Sequence, residues 1–176
     1  MPDRKAIHRA ISLIGMPGSG KSTVGVLLAK RLGLDFVDTD LLIQSRENAT
    51  LPEIIARTDH QYLRDLEERV LLEMPINTTS VISTGGSVVY SPLVMERLAA
   101  QTTVVYLQAQ FATVEYRISL APDRGIASPG NHTLADVYAE RVPLYEQYAH
   151  IIIDVDEDAP ESIAGHIIAN LDAISG

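Results

Sequence analysis

The sequence predicts an α/β fold in which a parallel β-sheet is flanked by helices. Short apolar segments alternate with amphipathic helical stretches along the chain, which is the pattern of parallel strands joined by crossover helices. One turn from a strand to a helix is rich in glycine, as in proteins that hold a phosphate at a helix N-terminus. The 176 residues contain no internal repeat or linker, so we expect a single domain over residues 1–176.

The strands are apolar runs bounded by turn residues, predicted at 10–14, 35–38, 80–83, 103–107 and 151–154. The helices show a period near 3.6 residues, predicted at 21–32, 41–48, 59–73, 92–100, 110–119, 134–148 and 161–174. Thr50 and Glu53 have the spacing of a capping box, which predicts a further short helix. Pro75 and Pro92 mark a helix end and a helix start. Pro143 falls inside a helix, which we expect it to kink.

The glycine-rich turn after the first strand, residues 15–23, predicts a nucleotide site. It contains Gly-x-x-x-x-Gly-Lys-Ser, whose backbone N–H groups surround a phosphate. In such a loop the lysine reaches the β- and γ-phosphates, and the serine hydroxyl enters the coordination shell of Mg²⁺. We therefore predict that a nucleoside triphosphate is bound by Gly15, Gly18, Ser19, Gly20, Lys21, Ser22 and Thr23.

The second strand ends in two carboxylates, Asp38 and Asp40. If both residues are extended, their side chains point to the same face. Next to a bound Mg-nucleotide, one carboxylate could hold a metal-bound water and the other could accept a proton from an alcohol. Alternatively, the pair is a helix N-cap followed by a surface acid. The spacing alone leaves both interpretations open.

Four arginines occupy positions at which an anion could bind. Arg64 has Glu67 one helical turn away to orient its guanidinium, and Arg141 lies in the helix that contains Pro143. Arg117 and Arg124 flank a loop-like stretch, residues 121–132. A guanidinium binds a carboxylate or phosphate through paired donors. Any single one of these arginines could equally be a solvated surface residue.

The third strand runs into Gly85-Gly86, where a substrate could approach the backbone closely. A tight turn is the structural alternative. The five histidines show no metal-ligand spacing, and the tyrosines of 138–148 are explained most simply by packing.

Composition narrows the class of protein further. The chain has no cysteine, and its formal net charge of −9 disfavours nucleic acid as a partner. No apolar run approaches the length of about 18 residues that spans a bilayer, and no signal-peptide core is seen. We expect a cytoplasmic protein without a membrane partner.

The order and spacing of six motifs resemble the shikimate kinase family and, more loosely, the wider group of kinases similar to nucleoside monophosphate kinases. The motifs are Gly15 to Ser22, Asp38-Thr39-Asp40, Leu63-Arg64-Asp65-Leu66-Glu67, Gly85-Gly86-Ser87, Arg124, and Arg141-Val142-Pro143-Leu144-Tyr145. The resemblance covers about residues 10–170. It implies a three-layer P-loop kinase fold with a five-stranded parallel sheet in the order 2-3-1-4-5. It also implies a mobile lid at about 117–133 and a substrate-binding helical segment at about 40–74.

The resemblance further implies the reaction, namely transfer of a phosphoryl group from ATP, with Mg²⁺, to the 3-hydroxyl of shikimate in aromatic amino acid biosynthesis. On the nucleotide side, Lys21 would steady the phosphates, Ser22 and Asp38 would hold Mg²⁺, and Arg117 and Pro160 would flank the adenine. A monomer is implied because small kinases of this architecture carry a complete site in one chain.

On the acceptor side, Asp40 would contact the substrate hydroxyls and act as base or orienting group. Arg64 and Arg141 would bind the carboxylate, and Gly85 and Gly86 would line the site. Lys21, Asp40 and the lid residue Arg124 would be the catalytic groups.

The sequence departs from the family pattern at four places. Ser87 replaces a third glycine, Leu63 replaces a phenylalanine, Gly125-Ile126 follows the lid arginine, and the loop 155–158 is acidic. These departures leave two alternatives to shikimate phosphorylation. One is a similar kinase acting on another small hydroxylated acid, and the other is a nucleotide-binding module without catalysis.

Overall fold

The computed structural model describes residues 9–121, 126 and 128–175, and within them the strands form one parallel sheet. The strands are β1 (Ala10–Ile14), β2 (Asp35–Asp38), β3 (Ser80–Ser83), β4 (Thr102–Gln108) and β5 (Ile151–Asp154). Their order across the sheet is β2-β3-β1-β4-β5, so β1 lies at the centre and pairs with both β3 and β4. The predicted five-stranded parallel sheet and its strand order are confirmed.

The helices connect the strands as crossovers, which parallel pairing requires. They are α1 (Lys21–Leu32), α2 (Thr39–Glu47), α3 (Leu51–Arg57), α4 (His60–Glu73), α5 (Pro92–Gln101), α6 (Phe111–Ser119), α7 (Leu134–Tyr148) and α8 (Pro160–Ser175). A 3-10 helix, Val88–Tyr90, follows β3 and was not anticipated from the sequence.

Local sequence signals account for most helix boundaries. The capping box of α3 is present, with the Thr50 side chain accepting from the Glu53 N–H and the Glu53 side chain accepting from the Thr50 N–H. Met74 is extended after α4, as expected for a residue that precedes a proline. Helix α2 begins at Thr39, two residues earlier than predicted, because Asp38 caps it. Helix α7 runs through Pro143 to Tyr148.

Two hydrophobic clusters hold the elements together. The larger is built on the sheet, where β1 and the central residues of β4 are fully buried. The smaller joins α2, α3 and α4 through Ile43, Ile54, Leu63, Leu66 and Val70. The helical segment between β2 and β3 therefore has its own small core beside the sheet.

The sheet topology collects the predicted motifs at one edge. The glycine-rich loop follows β1, Asp38 ends β2, and Gly85 comes two residues after β3. In open α/β sheets ligands bind beyond the carboxyl ends of the strands. The three motifs therefore share the edge at which a ligand is expected. Among the described residues, no helix has both the length and the apolar character needed to cross a membrane.

A buried hydroxyl pair at the opposite end of the sheet provides a test of the fold. Thr102 Oγ1 donates to the Leu98 carbonyl at 2.7 Å, and the Ser12 hydroxyl donates to Thr102 Oγ1 at 2.7 Å. Thr102→Val removes the acceptor of a fully buried hydroxyl. We expect it to lower the free energy of unfolding, measured in urea, by about 2 kcal/mol.

The double variant Ser12→Ala/Thr102→Val makes both positions apolar, and the Leu98 carbonyl keeps the backbone N–H of Thr102 as a donor. We therefore expect the double variant to be more stable than Thr102→Val alone. Destabilisation equal to the sum of the two single effects would contradict this interpretation.

Candidate active site

A cavity of about 360 Å³ opens at the carboxyl ends of β1, β2 and β3. It brings together, from four separate parts of the chain, most of the residues that the sequence singled out. Its wall includes Gly18, Gly20, Lys21, Ser22, Thr23, Asp38, Asp40, Gly85, Gly86 and Arg141. Phosphate-loop residues and the predicted acceptor residues Asp40, Gly85, Gly86 and Arg141 thus face one space.

The glycine-rich loop presents the N-terminus of α1 to this cavity. Gly20 precedes the helix with φ of 91°, a left-handed conformation that favours glycine, and no side chain caps the first turn. The first N–H groups of α1 are therefore available to a phosphate. Lys21 is buried, and its Nζ donates to the carbonyls of Gly15 and Met16 at 2.8 and 3.0 Å.

Asp38 joins the first helix of the acceptor side to the phosphate loop. Its Oδ1 accepts from the N–H groups of Asp40 and Leu41 at 2.9 and 3.4 Å, so it caps α2. Its Oδ2 accepts from the Ser22 hydroxyl at 2.7 Å. Asp38 and Asp40 do not share a face as two extended residues, because Asp40 lies in the first turn of α2. The helix-cap interpretation is correct for Asp38, yet its second oxygen still faces the loop serine.

The Ser22 and Asp38 oxygens have the chemistry of a magnesium site. Mg²⁺ prefers hard oxygen ligands and in nucleotide sites takes only one or two from the protein, the rest coming from phosphates and water. Across the described residues no cluster of three or more histidine, aspartate or glutamate side chains suits a metal. The adjacent pair therefore fits a metal that is shared with phosphate groups.

Asp40 and Glu67 converge on Gly85 inside the cavity. A Cβ atom built on Gly85 would lie 2.1 Å from Glu67 Oε1 and 3.1 Å from Asp40 Oδ1. Since Glu67 is almost completely buried, its carboxylate cannot move aside for a side chain. Glycine is therefore required here by space, and the two acids form one wall of the cavity.

The Glu67 carboxyl group has a perturbed acidity. Burial raises its pKa from 4.5 to about 7, and the negative charge of Asp40 acts in the same direction. The Ser87 hydrogen bond, Arg141 and Lys21 oppose this rise in the pKa. Glu67 thus lies within electrostatic reach of both the phosphate-loop lysine and the arginine of α7.

Ser87, the departure from the family's third glycine, hydrogen-bonds to Glu67. Its hydroxyl donates to Glu67 Oε2, while Oε1 is buried and has no hydrogen-bond partner in the described structure. The backbone at Ser87 has φ of −88°, which any residue adopts. Serine is therefore tolerated without strain, and it orients the buried carboxyl group.

Arg141 is the largest fully buried side chain and forms another wall of the cavity. A Cβ atom on Gly86 would lie 2.9 Å from its Nη1 and 2.8 Å from Pro17 Cδ. One turn further along α7, the Tyr145 hydroxyl donates to the Gly86 carbonyl, and the Tyr145 ring stacks on Tyr106 at 5.1 Å. Tyr145 therefore does more than pack, contrary to the simplest expectation from the sequence.

Arg64 is not in the wall of the main cavity. It lines a second cavity of about 270 Å³, which shares Glu67 and Ser87 with the first. Its Cζ lies 3.9 Å from the centroid of the Tyr90 ring, and Arg141 Cζ lies 5.2 Å from the same centroid. The two predicted carboxylate ligands are thus brought to one aromatic ring, although they line different cavities.

The other predicted nucleotide-side residues lie around the loop. Arg117 donates to the carbonyls of Gly18 and Val155, both at 3.1 Å, so it ties the phosphate loop to the turn after β5. Pro160 is the first residue of α8. Gly15 and Ser19 belong to the loop without lining the cavity, and Arg124 lies outside the described residues.

Sequence reasoning missed the roles of Tyr90 and of the Ser87–Glu67 pair. In the sequence Ser87 stands out only because it replaces a glycine of the family pattern, and its partner Glu67 lies 20 residues earlier in the chain. Tyr90 belongs to a short 3-10 turn that has no periodic signature. Its position four residues after Gly86 was the one available signal that it approaches the site.

A phosphate loop, a serine–aspartate pair suited to magnesium and a buried pocket of acids and arginines together define a small-molecule kinase of the P-loop class. The comparisons with known proteins identify the family. The family model for shikimate kinase matches residues 17–172, and the chain belongs to the shikimate kinase family.

Individual relatives agree with this family. The chain is 40% identical to the shikimate kinase of Paracidovorax citrulli, over 82% of this chain and 81% of that protein. It is 36% identical to the shikimate kinase of Mycobacterium avium, over 92% of both chains. Among solved structures, the shikimate kinase of Acinetobacter baumannii in complex with shikimate superposes with a TM-score of 0.86 at 30% identity, covering 94% and 93% of the two chains.

The raised pKa of Glu67 predicts a pH-dependent stability. Glu67 binds its proton more tightly in the folded protein than in the unfolded chain. Its contribution to the free energy of unfolding is therefore fully present below about pH 4.5 and is lost as pH rises through about 7. We expect the loss to total about 3 kcal/mol in the free energy of unfolding, and Glu67→Gln to remove most of it. Urea unfolding at a series of pH values measures both.

Asp65→Asn is the matched control, because Asp65 is an exposed carboxylate on the same helix. It should leave the pH dependence unchanged. In Ser87→Ala the free energy of unfolding should continue to fall to a higher pH than in wild type, since the Ser87 hydrogen bond lowers the pKa of Glu67. A Glu67→Gln profile as steep as that of the wild type would show that Glu67 does not titrate as described.

Proposed function

We propose that the protein transfers the γ-phosphoryl group of ATP to the 3-hydroxyl of shikimate, giving shikimate 3-phosphate and ADP. The observation that carries the proposal is the single cavity in which the phosphate loop faces Asp40, Glu67 and Arg141. Membership of the shikimate kinase family supports this substrate, as does the structural likeness to a shikimate kinase that was solved with shikimate. The chain retains the catalytic groups, so we do not favour a module without catalysis.

On the nucleotide side, the loop N–H groups and the Lys21 ammonium bind the phosphates. Ser22 and Asp38 would hold Mg²⁺, which when bound offsets negative charge on the phosphate oxygens. Gly15, Gly18, Ser19, Gly20 and Thr23 complete the phosphate-binding loop. Arg117 and Pro160 flank the adenine, a role that suits the position of Arg117 between the loop and the turn after β5.

On the acceptor side, Arg64 and Arg141 bind the carboxylate, and Gly85 and Gly86 let the ring approach the backbone. Asp40 orients the 3-hydroxyl and accepts its proton as the new bond to the γ-phosphorus forms and the bond to the β-phosphate oxygen breaks. Catalysis is then mainly positioning and stabilisation of charge. The cavity supports this assignment because Asp40 and the loop lysine line the same space.

The remaining parts of the proposal concern movement and assembly. Residues 117–133 with Arg124 act as a lid that excludes water from the transferring phosphoryl group, since an open site would hydrolyse ATP. Ile126 of this segment lines the cavity. Residues 40–74 form the acceptor-binding segment, which has its own small core. The enzyme acts as a cytoplasmic monomer without nucleic acid or membrane partners.

The decisive experiment is a coupled assay of ADP release with shikimate, followed by a panel of other hydroxylated acids. We expect Mg-ATP-dependent turnover with shikimate and a product phosphorylated at the 3-position, identified by ³¹P NMR. Turnover with another acid and none with shikimate would overturn the proposed acceptor. Nucleotide binding without turnover on any acid would overturn the enzymatic function altogether.

Asp40→Asn tests the proposed base. Because the amide cannot accept the proton, we expect kcat with shikimate to fall about a hundredfold or more while the Kd for ATP changes little. Steady-state kinetics and nucleotide titration measure the two quantities. Asp35→Asn, at an exposed aspartate that begins β2, the strand before α2, is the control and should be near wild type. Near-normal turnover by Asp40→Asn would remove Asp40 from the mechanism.

A further inference from the structure

Tyr90 contacts two arginines that come from different helices. It ends the 3-10 helix after β3 and is half-buried. The guanidinium of Arg64, from α4, lies over its ring with Cζ 3.9 Å from the centroid, and the guanidinium of Arg141, from α7, lies at 5.2 Å. A guanidinium within about 6 Å of a ring centroid is attracted to the π electrons. One side chain therefore contacts both predicted carboxylate ligands.

The hydroxyl group of Tyr90 adds two directional contacts. It donates to Glu140 Oε2 at 2.9 Å and accepts from Arg141 Nε at 3.4 Å. Glu140 and Arg141 are neighbours on α7, so the hydroxyl is anchored to the helix that carries the arginine. The ring is consequently held in one orientation against both guanidiniums.

This arrangement counters a repulsion that the proposed site creates. Two positive groups near one ring repel each other, and Arg141 is 1% exposed, so water screens its charge poorly. The repulsion favours conformations in which the guanidinium of Arg64, which is half-buried, lies farther from that of Arg141. Tyr90 offers its π face to both cations and its oxygen to one of them. It thereby favours the conformation in which the two guanidiniums stay together.

We propose that Tyr90 is a positioning residue that sets the affinity for the acceptor carboxylate by holding Arg64 and Arg141 close together before the acceptor binds. The inference rests on the proposed function, in which these two arginines bind the carboxylate of shikimate. Two cations that are already held together in the free enzyme bind an anion more tightly, because binding then does not have to supply the free energy of bringing them together. Tyr90 also stands beside the wall of Glu67 and Ser87 that the two cavities share.

The test compares two substitutions on two acceptors. Tyr90→Leu removes the ring and the hydroxyl, whereas Tyr90→Phe keeps the ring and removes only the hydroxyl. The acceptors are shikimate and its carboxamide, in which the negative charge is absent. Tyr62→Leu is the matched control, because Tyr62 is an exposed tyrosine on the helix of Arg64 and makes only long hydrogen bonds, at 3.4 Å, to Glu47.

We expect Tyr90→Leu to raise the KM for shikimate about tenfold and Tyr90→Phe about threefold, with kcat and the KM for ATP within about twofold of wild type. With the carboxamide, the KM of both variants should differ from that of wild type by less than about twofold, because the carboxamide has no negative charge for the two arginines to bind. Tyr62→Leu should have the same KM and kcat as wild type with both acceptors.

Two results would overturn the role of Tyr90: an unchanged KM for shikimate in both variants, or an equal rise with shikimate and the carboxamide. The second result would indicate a general structural role. If Tyr90→Leu fails to fold, as judged by circular dichroism, then Tyr90→Phe and Glu140→Gln decide the question through the same comparison. If the wild-type enzyme does not turn over shikimate, the proposed function and this inference both fail. If the wild type turns over shikimate and the Tyr90 variants behave as in either result above, only the role of Tyr90 fails.

Discussion

Parallel pairing of β1 with β3, and of β3 with β2, is the constraint on which the rest of the site depends. The pairing brings the carboxyl ends of these strands to one edge, so the phosphate loop, Asp38 and Gly85 lie side by side. Residues about 65 positions apart in the chain, such as Lys21 and Gly85, thereby line one cavity. Phosphoryl transfer needs donor and acceptor groups side by side in one site, and this edge of the sheet provides it.

The buried charges at this edge balance one another. Glu67, Arg141 and Lys21 are each almost fully buried and belong to three different elements, and the two cations lower the pKa of Glu67. A buried charge is tolerated only when partners offset its loss of hydration. The overall charge of −9 therefore says little about the site, where Lys21 and Arg141 supply buried positive charge beside Glu67.

Much of the fold could be read from local signals, and the site only in part. The strands were predicted to within one residue, because continuous apolar runs and short turns mark a buried parallel sheet clearly. The capping box at Thr50 and the glycine before α1 were also local signals, and the structure shows both. Asp40 falls between the predicted strand and the predicted helix, and it is helical because the cap formed by Asp38 starts α2 earlier than the apolar pattern suggested. The place of Arg64 in a second cavity has no sequence signature at all.

The sequence by itself determined the class of fold, the phosphate-binding loop and the family, because each depends on residue types at fixed spacing within short segments. Only the tertiary structure decided that Ser87 orients Glu67, that burial and Asp40 raise the pKa of that acid, and that Tyr90 contacts both Arg64 and Arg141. Those relations join helices that are distant in the chain, so they depend on how α4 and α7 pack around the turn after β3. Charge, burial and proximity across such contacts are properties of the packed molecule, and local spacing does not encode them.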